Sequence, residues 1–249
     1  MLEYCMSDEL TQTLTHLPVS MHASLAQLPV AQPIVLLTRH SLRVAADGQG
    51  FASYALPLTE VGRELAYAWG EYLCNWTGRE FRACLSSPIG RCVDTALRML
   101  GGSLDENEEN RTDIIETTLL VEPGSFVLDA ARLSAVFRQY GALKFINAFL
   151  SKQVEGMKHP AQGVLDILSL LYDYLPSAEN SVLLAVSHDT ILAAFLAVMQ
   201  DEPEITSEDW PEMMEGVFLW FDGDRFEDSQ VHWVWRGIKK SRLVSSFVV

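Results

Sequence analysis

Two short apolar runs, residues 34–37 (IVLL) and 181–186 (SVLLAV), constrain the fold most, because each passes directly into a polar sequence. Successive side chains of a strand point to opposite faces, so a strand apolar at consecutive positions must be covered on both. Such strands form the middle of a parallel sheet, and parallel neighbours require crossover connections. The chain supplies helices for them. Behind Thr59, a residue suited to capping, Leu58, Val61, Leu65, Ala68, Trp69, Tyr72 and Leu73 recur at helical steps. Residues 81–85 read as a second strand, after which Pro88, tolerated in a first helical turn, leads into the helical IGRCVDTALRML.

Residues 114–121 read as a further strand, 130–176 as helices broken near Gly156 and Pro160, and the run after Ser187 as another helix. Residues 216–221 and 231–235 alternate like an antiparallel edge pair joined by Asp222-Gly223-Asp224. The sum predicts one α/β domain with a three-layer, mostly parallel central sheet and helices on both faces. Residues 1–32 form an N-terminal extension, 101–111 (GGSLDENEENR) a solvated connector, and about 128–176 a helical cap or insert. A chain of 249 residues suits that organisation.

The charge balance excludes whole classes of partner. Net charge is −15, whereas affinity for a phosphate backbone or an anionic membrane comes from clustered Lys and Arg, so neither nucleic acid nor membrane is an expected partner. Thirteen arginines against five lysines instead suggest planar anion forks. Acids near the start argue against a secretory leader, and Cys5, Cys74, Cys84 and Cys92 form no CxxC pair, so a cytoplasmic protein without a disulfide framework or structural zinc is expected. P-loop, dinucleotide, zincin and α/β-hydrolase motifs are absent. Cys84 is discounted as a phosphatase nucleophile because six residues separate it from Arg91.

In an open α/β sheet, ligands bind beyond the carboxyl ends of the strands. Three strands end in chemically capable sequences: TRHSLR, SSPIGR and SHD. Together they would bring Arg39, His40, Arg43, Arg91 and His188 to one rim of an otherwise acidic protein. The aromatics Trp210, Trp220, Trp233 and Trp235 read as packing, and Arg132, Arg138 and Lys144 as surface charge.

These residues resemble the histidine phosphatase superfamily, which includes the phosphoglycerate mutases and histidine acid phosphatases. The likeness rests on Arg39-His40-Ser41-Leu42-Arg43, Leu58-Thr59-Glu60-Val61-Gly62, Ser86-Ser87-Pro88-Ile89-Gly90-Arg91 through Thr95, and Ser187-His188, in order and covering about 34–199. One position departs from the pattern: Ser41 stands where the family usually has Gly. The resemblance implies a phosphoglycerate mutase-like fold and a metal-independent phosphomonoesterase needing no cofactor and acting on a small phosphorylated molecule or phosphopeptide. A phosphomutase, or a weak pseudoenzyme that binds an anion or protein, is the alternative.

It implies His40 as the nucleophile, forming a phosphohistidine, with Arg39, Arg43, Arg91 and a protonated His188 binding the phosphoryl oxygens. For the proton donor there are two candidates, Asp189 beside His188 and Glu122 in LLVEPGSF; local likeness to the acid phosphatase branch favours Asp189. Either carboxyl needs a raised pKa to be protonated near neutrality. A homodimer through the C-terminal edge strand is a further expectation. His40→Ala should abolish hydrolysis of an aryl phosphate while leaving the fold intact, and Arg91→Ala should slow it by about tenfold or more; retained wild-type activity in His40→Ala would refute the mechanism.

Overall fold

The computed structural model describes residues 8–45, 54–101, 112–122, 124–129, 132–133, 136 and 139–248. The expected connector falls outside them except for Gly101, as does Arg138. Along the chain run helices α1 (Asp8–Leu14) and α2 (Val19–Leu25), strand β1 (Ile34–Arg39), helix α3 (Glu60–Thr77), strand β2 (Glu80–Ser86) and helix α4 (Gly90–Gly101). Strand β3 (Ile114–Glu116), helices α5 (Ala142–Leu150) and α6 (Pro160–Asp173), strand β4 (Ser181–Ser187) and helix α7 (Asp189–Met199) follow. Strands β5 (Gly216–Asp222), β6 (Gln230–Trp235) and β7 (Ile238–Leu243) close the order. No helix among the described residues is long and apolar enough to cross a membrane.

The seven strands form one sheet in the order β3-β2-β4-β1-β5-β6-β7. The pairings on the β3 side of β1 are parallel and those on the β5 side antiparallel, so the sheet is mixed. Its middle shows why residues 34–37 are apolar throughout. Val35 and Leu37 enter one core with Leu183, Ala185, Val217 and Leu219, whereas Ile34 and Leu36 enter the other with Val182, Leu184 and Phe218. α5, α6 and α7 cover the first face, and α3 and α4 the second. Each fully buried Leu or Val contributes about 1.5–3 kcal/mol.

Local signals set the helix limits. The Thr59 hydroxyl accepts from the Gly62 amide at 3.0 Å, and α3 stops at Gly78, whose φ of 66° a side chain would strain. Leu65, Trp69 and Leu73 of the expected stripe are buried, but Val61 is 43% exposed. α1 and α2 show that the N-terminal extension belongs to the fold, because Leu14, Leu17, Met21 and Leu25 complete the second core. The stretch 128–176, expected as a cap or insert, likewise sends Phe145, Phe149, Ile167 and Leu171 into the first core.

Two strand expectations need correction. Residues 114–121 form a strand only over Ile114–Glu116, after which Thr117 caps a 3-10 turn by accepting from the Leu119 amide at 3.3 Å. The C-terminal pair β5 and β6 is joined through residues 223–229, including a 3-10 turn at Phe226–Asp228, and is not the edge. β7 pairs outside it, and this IKKSRL strand lacks an apolar alternation because it is largely exposed to solvent.

Helix–helix packing leaves no room at Gly70. A Cβ there would lie 2.1 Å from the Met99 carbonyl oxygen of α4. Gly70→Ala should therefore cost about 1–3 kcal/mol of overpacking in urea unfolding, while the folded fraction keeps its activity; unchanged stability would show that α3 and α4 can separate freely.

Candidate active site

The order β2-β4-β1 brings the three polar sequences together. Arg39 is in register with Ser187 and Ser86 with Val186, so all three strands end at one level. Beyond that level the His40 amide donates to the Ser187 carbonyl at 3.0 Å and the Ser87 amide to that of Val186 at 2.9 Å. The imidazoles of His40 and His188 meet edge to face, their centroids 5.7 Å apart. Thus the structure gathers His40, His188, Arg39 and Arg91, and adds Asp189 and Glu122.

His40 is 2% exposed and its ring is oriented from both ends. Nδ1 lies 2.8 Å from the Ser41 carbonyl, and Nε2 accepts from Arg91 Nε at 2.9 Å. A carbonyl can only accept, so Nδ1 carries the proton and Nε2 carries the lone pair. Burial, followed by the positive charges of Arg39 and Arg91, pushes the His40 pKa down to about 2. The imidazole is therefore neutral at physiological pH.

His188 departs from its expected role as a protonated donor. It is buried, its Nδ1 accepts from Arg91 Nη2 at 3.3 Å, and its Nε2–H donates to the Ser87 hydroxyl at 2.9 Å. Burial and then Arg91 push its pKa down to about 3. In that state it steadies Arg91 and does not supply an imidazolium.

The carboxyl pair reverses the preference drawn from sequence. Burial pushes Asp189 up, but the Arg39 guanidinium, with Nη2 2.6 Å from Asp189 Oδ2, outweighs it and holds the carboxyl below its usual range. Asp189 also accepts from the Thr190 amide at 2.9 Å and from Trp210 Nε1 at 3.3 Å. Burial and then the neighbouring Asp189 charge raise Glu122 instead. Glu122 shares a hydrogen bond with Asp189 and accepts from the Thr190 hydroxyl at 2.7 Å. Glu122 therefore keeps the proton of this pair, and Asp189 keeps the charge.

Arg43 sits at the margin, half-buried, with Nη1 donating to the Val44 carbonyl at 2.9 Å. Burial and the fields of Arg91 and Arg39 lower its pKa, which places it within electrostatic reach of both. Ser41 proves compatible with the turn: its hydroxyl donates to the Gly62 carbonyl at 2.6 Å and its amide donates to Thr95 Oγ1 at 3.0 Å. Gly62 is needed at that junction, since a Cβ there would lie 2.1 Å from the Leu42 carbonyl oxygen. Arg132 and Lys144 are exposed, as expected of surface charge. Cys84 is buried, and burial pushes its thiol up to about 12.

Sequence reading missed three members of this constellation. Thr190 orients Glu122, Ser87 holds His188, and Trp210, read as packing, donates to Asp189. Ser87 lay within a quoted motif and Thr190 directly follows Asp189, without either being given a role; Trp210 is brought in by tertiary contact.

No family model and no curated protein matches the sequence. Solved structures do share its architecture. A mycobacterial hydrolase is 20% identical, covers 82% of this chain and 98% of its own, and superposes with a TM-score of 0.53. A mycobacterial glucosyl-3-phosphoglycerate phosphatase bound to inorganic phosphate is 19% identical, covers 87% and 100%, and has a TM-score of 0.52. The same enzyme in complex with VO3 is 18% identical over 85% and 97%, also at 0.52. The chain has the phosphoglycerate mutase-like α/β fold of these proteins.

The buried titrating groups make stability depend on pH in two opposite ways. For Glu122 the folded pKa lies above its unfolded value of 4.5, so the stability it contributes is lost as pH rises from 4.5 through the raised value. For His40 and His188 the folded pKa lies below 6.5, so stability is lost as pH falls from 6.5. Glu122→Gln should flatten the alkaline decline in urea-unfolding free energy and leave the acid decline in place. An alkaline decline of wild-type slope in that variant would place the proton elsewhere.

Proposed function

We propose that this chain is a phosphomonoesterase that works through a phosphohistidine at His40. The observation that carries the reading is a neutral, buried imidazole with its tautomer fixed by the Ser41 carbonyl and its Nε2 facing a guanidinium. Around it, Arg39, Arg43 and Arg91 outweigh the single carboxylate charge of Asp189, so the locality is cationic within a chain of net charge −15. A phosphate monoester dianion has the matching charge and the oxygens to receive forked N–H groups.

In the first step the Nε2 lone pair attacks phosphorus and the bond to the ester oxygen breaks. Arg91 Nε–H turns from Nε2 to a phosphoryl oxygen, where charge develops. Positive charge grows on the ring, which strengthens the Nδ1–H bond to the Ser41 carbonyl. Glu122 gives its proton to the departing oxygen. In the second step water attacks the phosphohistidine, its proton passes to the Glu122 carboxylate, and the N–P bond breaks to free the imidazole and inorganic phosphate. Asp189 remains ionised and holds Arg39 in place.

The neighbours of the same fold include a phosphatase that binds inorganic phosphate and VO3, in keeping with such a site. The substrate class is a small phosphorylated molecule or a phosphopeptide, taken without a metal ion in the cytoplasm; nucleic acid and membranes are not partners. β7 offers an exposed edge for pairing with a second copy.

The test is hydrolysis of phenyl phosphate and p-nitrophenyl phosphate by wild type, Glu122→Gln and Asp189→Asn in EDTA. Phenolate needs a proton to leave and p-nitrophenolate does not. Glu122→Gln should slow phenyl phosphate by about 10²-fold or more and the nitrophenyl ester far less. Selective loss in Asp189→Asn with none in Glu122→Gln would return the proton to Asp189, and complete inactivation by EDTA would remove the metal-free mechanism.

A further inference from the structure

Arg236 lies outside every sequence motif, yet its side chain is committed to one segment. Nε and Nη2 bind the two carboxylate oxygens of Glu215 at 2.8 and 3.0 Å. Nη1 donates to the Glu208 carbonyl at 2.6 Å, and Nη2 also reaches that of Trp210 at 3.2 Å. Glu215 is 2% exposed, and its carboxylate accepts further bonds from the Ser20 hydroxyl at 2.7 Å and the Glu212 amide at 3.0 Å.

The backbone supplies an independent observation. Arg236 and Gly237 form the two-residue turn between β6 and β7, with φ of 50° and 76°. Asn-Gly is the favoured pair for a turn with both φ values positive. A large side chain held in the left-handed region persists where its surroundings fix it, and such residues cluster where strain serves a site.

The clamped segment touches the active site repeatedly, and the Arg39 amide donates to the Glu215 carbonyl at 3.0 Å. Trp210 Nε1–H donates to Asp189 Oδ2 at 3.3 Å, the Pro211 carbonyl accepts from Arg39 Nη1 at 2.8 Å, and the Met214 amide donates to the His40 carbonyl at 3.3 Å. Asp189 and Arg39 are thus each bonded to the segment whose carbonyls at Glu208 and Trp210 Arg236 grips.

We propose that Arg236 is a positioning residue: by gripping Glu215 and the carbonyls of Glu208 and Trp210, it sets Trp210 and Pro211 so that the Asp189–Arg39 pair presents Glu122 correctly to the leaving group. This rests on the reading of Glu122 as proton donor. Arg236 touches neither substrate nor reacting atoms. Its influence passes through hydrogen bonds of the 206–215 segment.

The test compares kcat/KM for phenyl and p-nitrophenyl phosphate in the full chain, for wild type, Arg236→Gln, Arg236→Lys and Glu215→Gln. Arg236→Gln and Glu215→Gln should lower the phenyl phosphate value by between about tenfold and 10²-fold, the effect of roughly an ångström of misplacement. The nitrophenyl ester should fall much less, and Arg236→Lys should recover part of the loss. No fall, or an equal fall on both esters, overturns the proposal, because damage to folding or phosphate binding strikes both alike.

If the Arg236 variants do not fold, Trp210→Phe must reproduce the selective loss, and its failure to do so also overturns the proposal. A readout independent of activity is solvent exchange of the Trp210 indole N–H, assigned by its disappearance in Trp210→Phe. Exchange should quicken in Arg236→Gln; an unchanged rate refutes the clamp even if Glu122 is the donor. Quickened exchange with no discrimination between esters in Glu122→Gln would leave the clamp standing and refute the proton assignment, and with it the link from Arg236 to the leaving group.

Discussion

The parallel pairing of β1 with β4 is the constraint on which the site depends. It fixes Arg39 opposite Ser187 and so delivers His40 and His188 to neighbouring positions beyond the sheet. A slip of one residue would reverse every side chain on β1 between two cores that are both apolar. The first polar residues after the strand would then no longer meet. Burial of residues 34–37 on both faces therefore supports the geometry at His40 as well as overall stability.

Burial also governs the chemistry. It keeps both imidazoles neutral and, acting with the charge on Asp189, leaves a proton on Glu122. The asymmetry between the carboxyls comes from Arg39, which lies against Asp189 and not Glu122. Two like groups placed together cannot both ionise cheaply in a desolvated site, and a neighbouring cation decides which one does. The site thus divides a neutral imidazole, a charged carboxylate and a protonated carboxyl among residues that are separated widely along the chain.

What was legible in sequence was local. The strand at residues 34–37, the Thr59 cap and the helix after His188 depend on near neighbours, and the motif residues Gly62 and Thr95 find their reasons at the turn around Ser41. β7 was illegible because an edge strand with polar residues on both faces carries no alternation. Which carboxyl is protonated was illegible for another reason: the short-range likeness around Asp189 says nothing about an arginine from another strand. Trp210 had the composition of a packing residue and gained its polar role only through the fold.

The cationic locality within an acidic chain has a consequence for how a ligand arrives. At physiological ionic strength a charge is screened beyond roughly 8 Å, so an approaching phosphate first meets the repulsive field of a body carrying −15 and feels the guanidiniums only at close range. Added salt weakens the long-range repulsion before it weakens the short-range attraction, which makes capture less salt-sensitive than in an openly basic site. For the proposed substrates the same arrangement would sort by shape: a compact phosphate ester would place its charge inside the attractive zone, whereas a polyanion would trail charge back across the acidic surface.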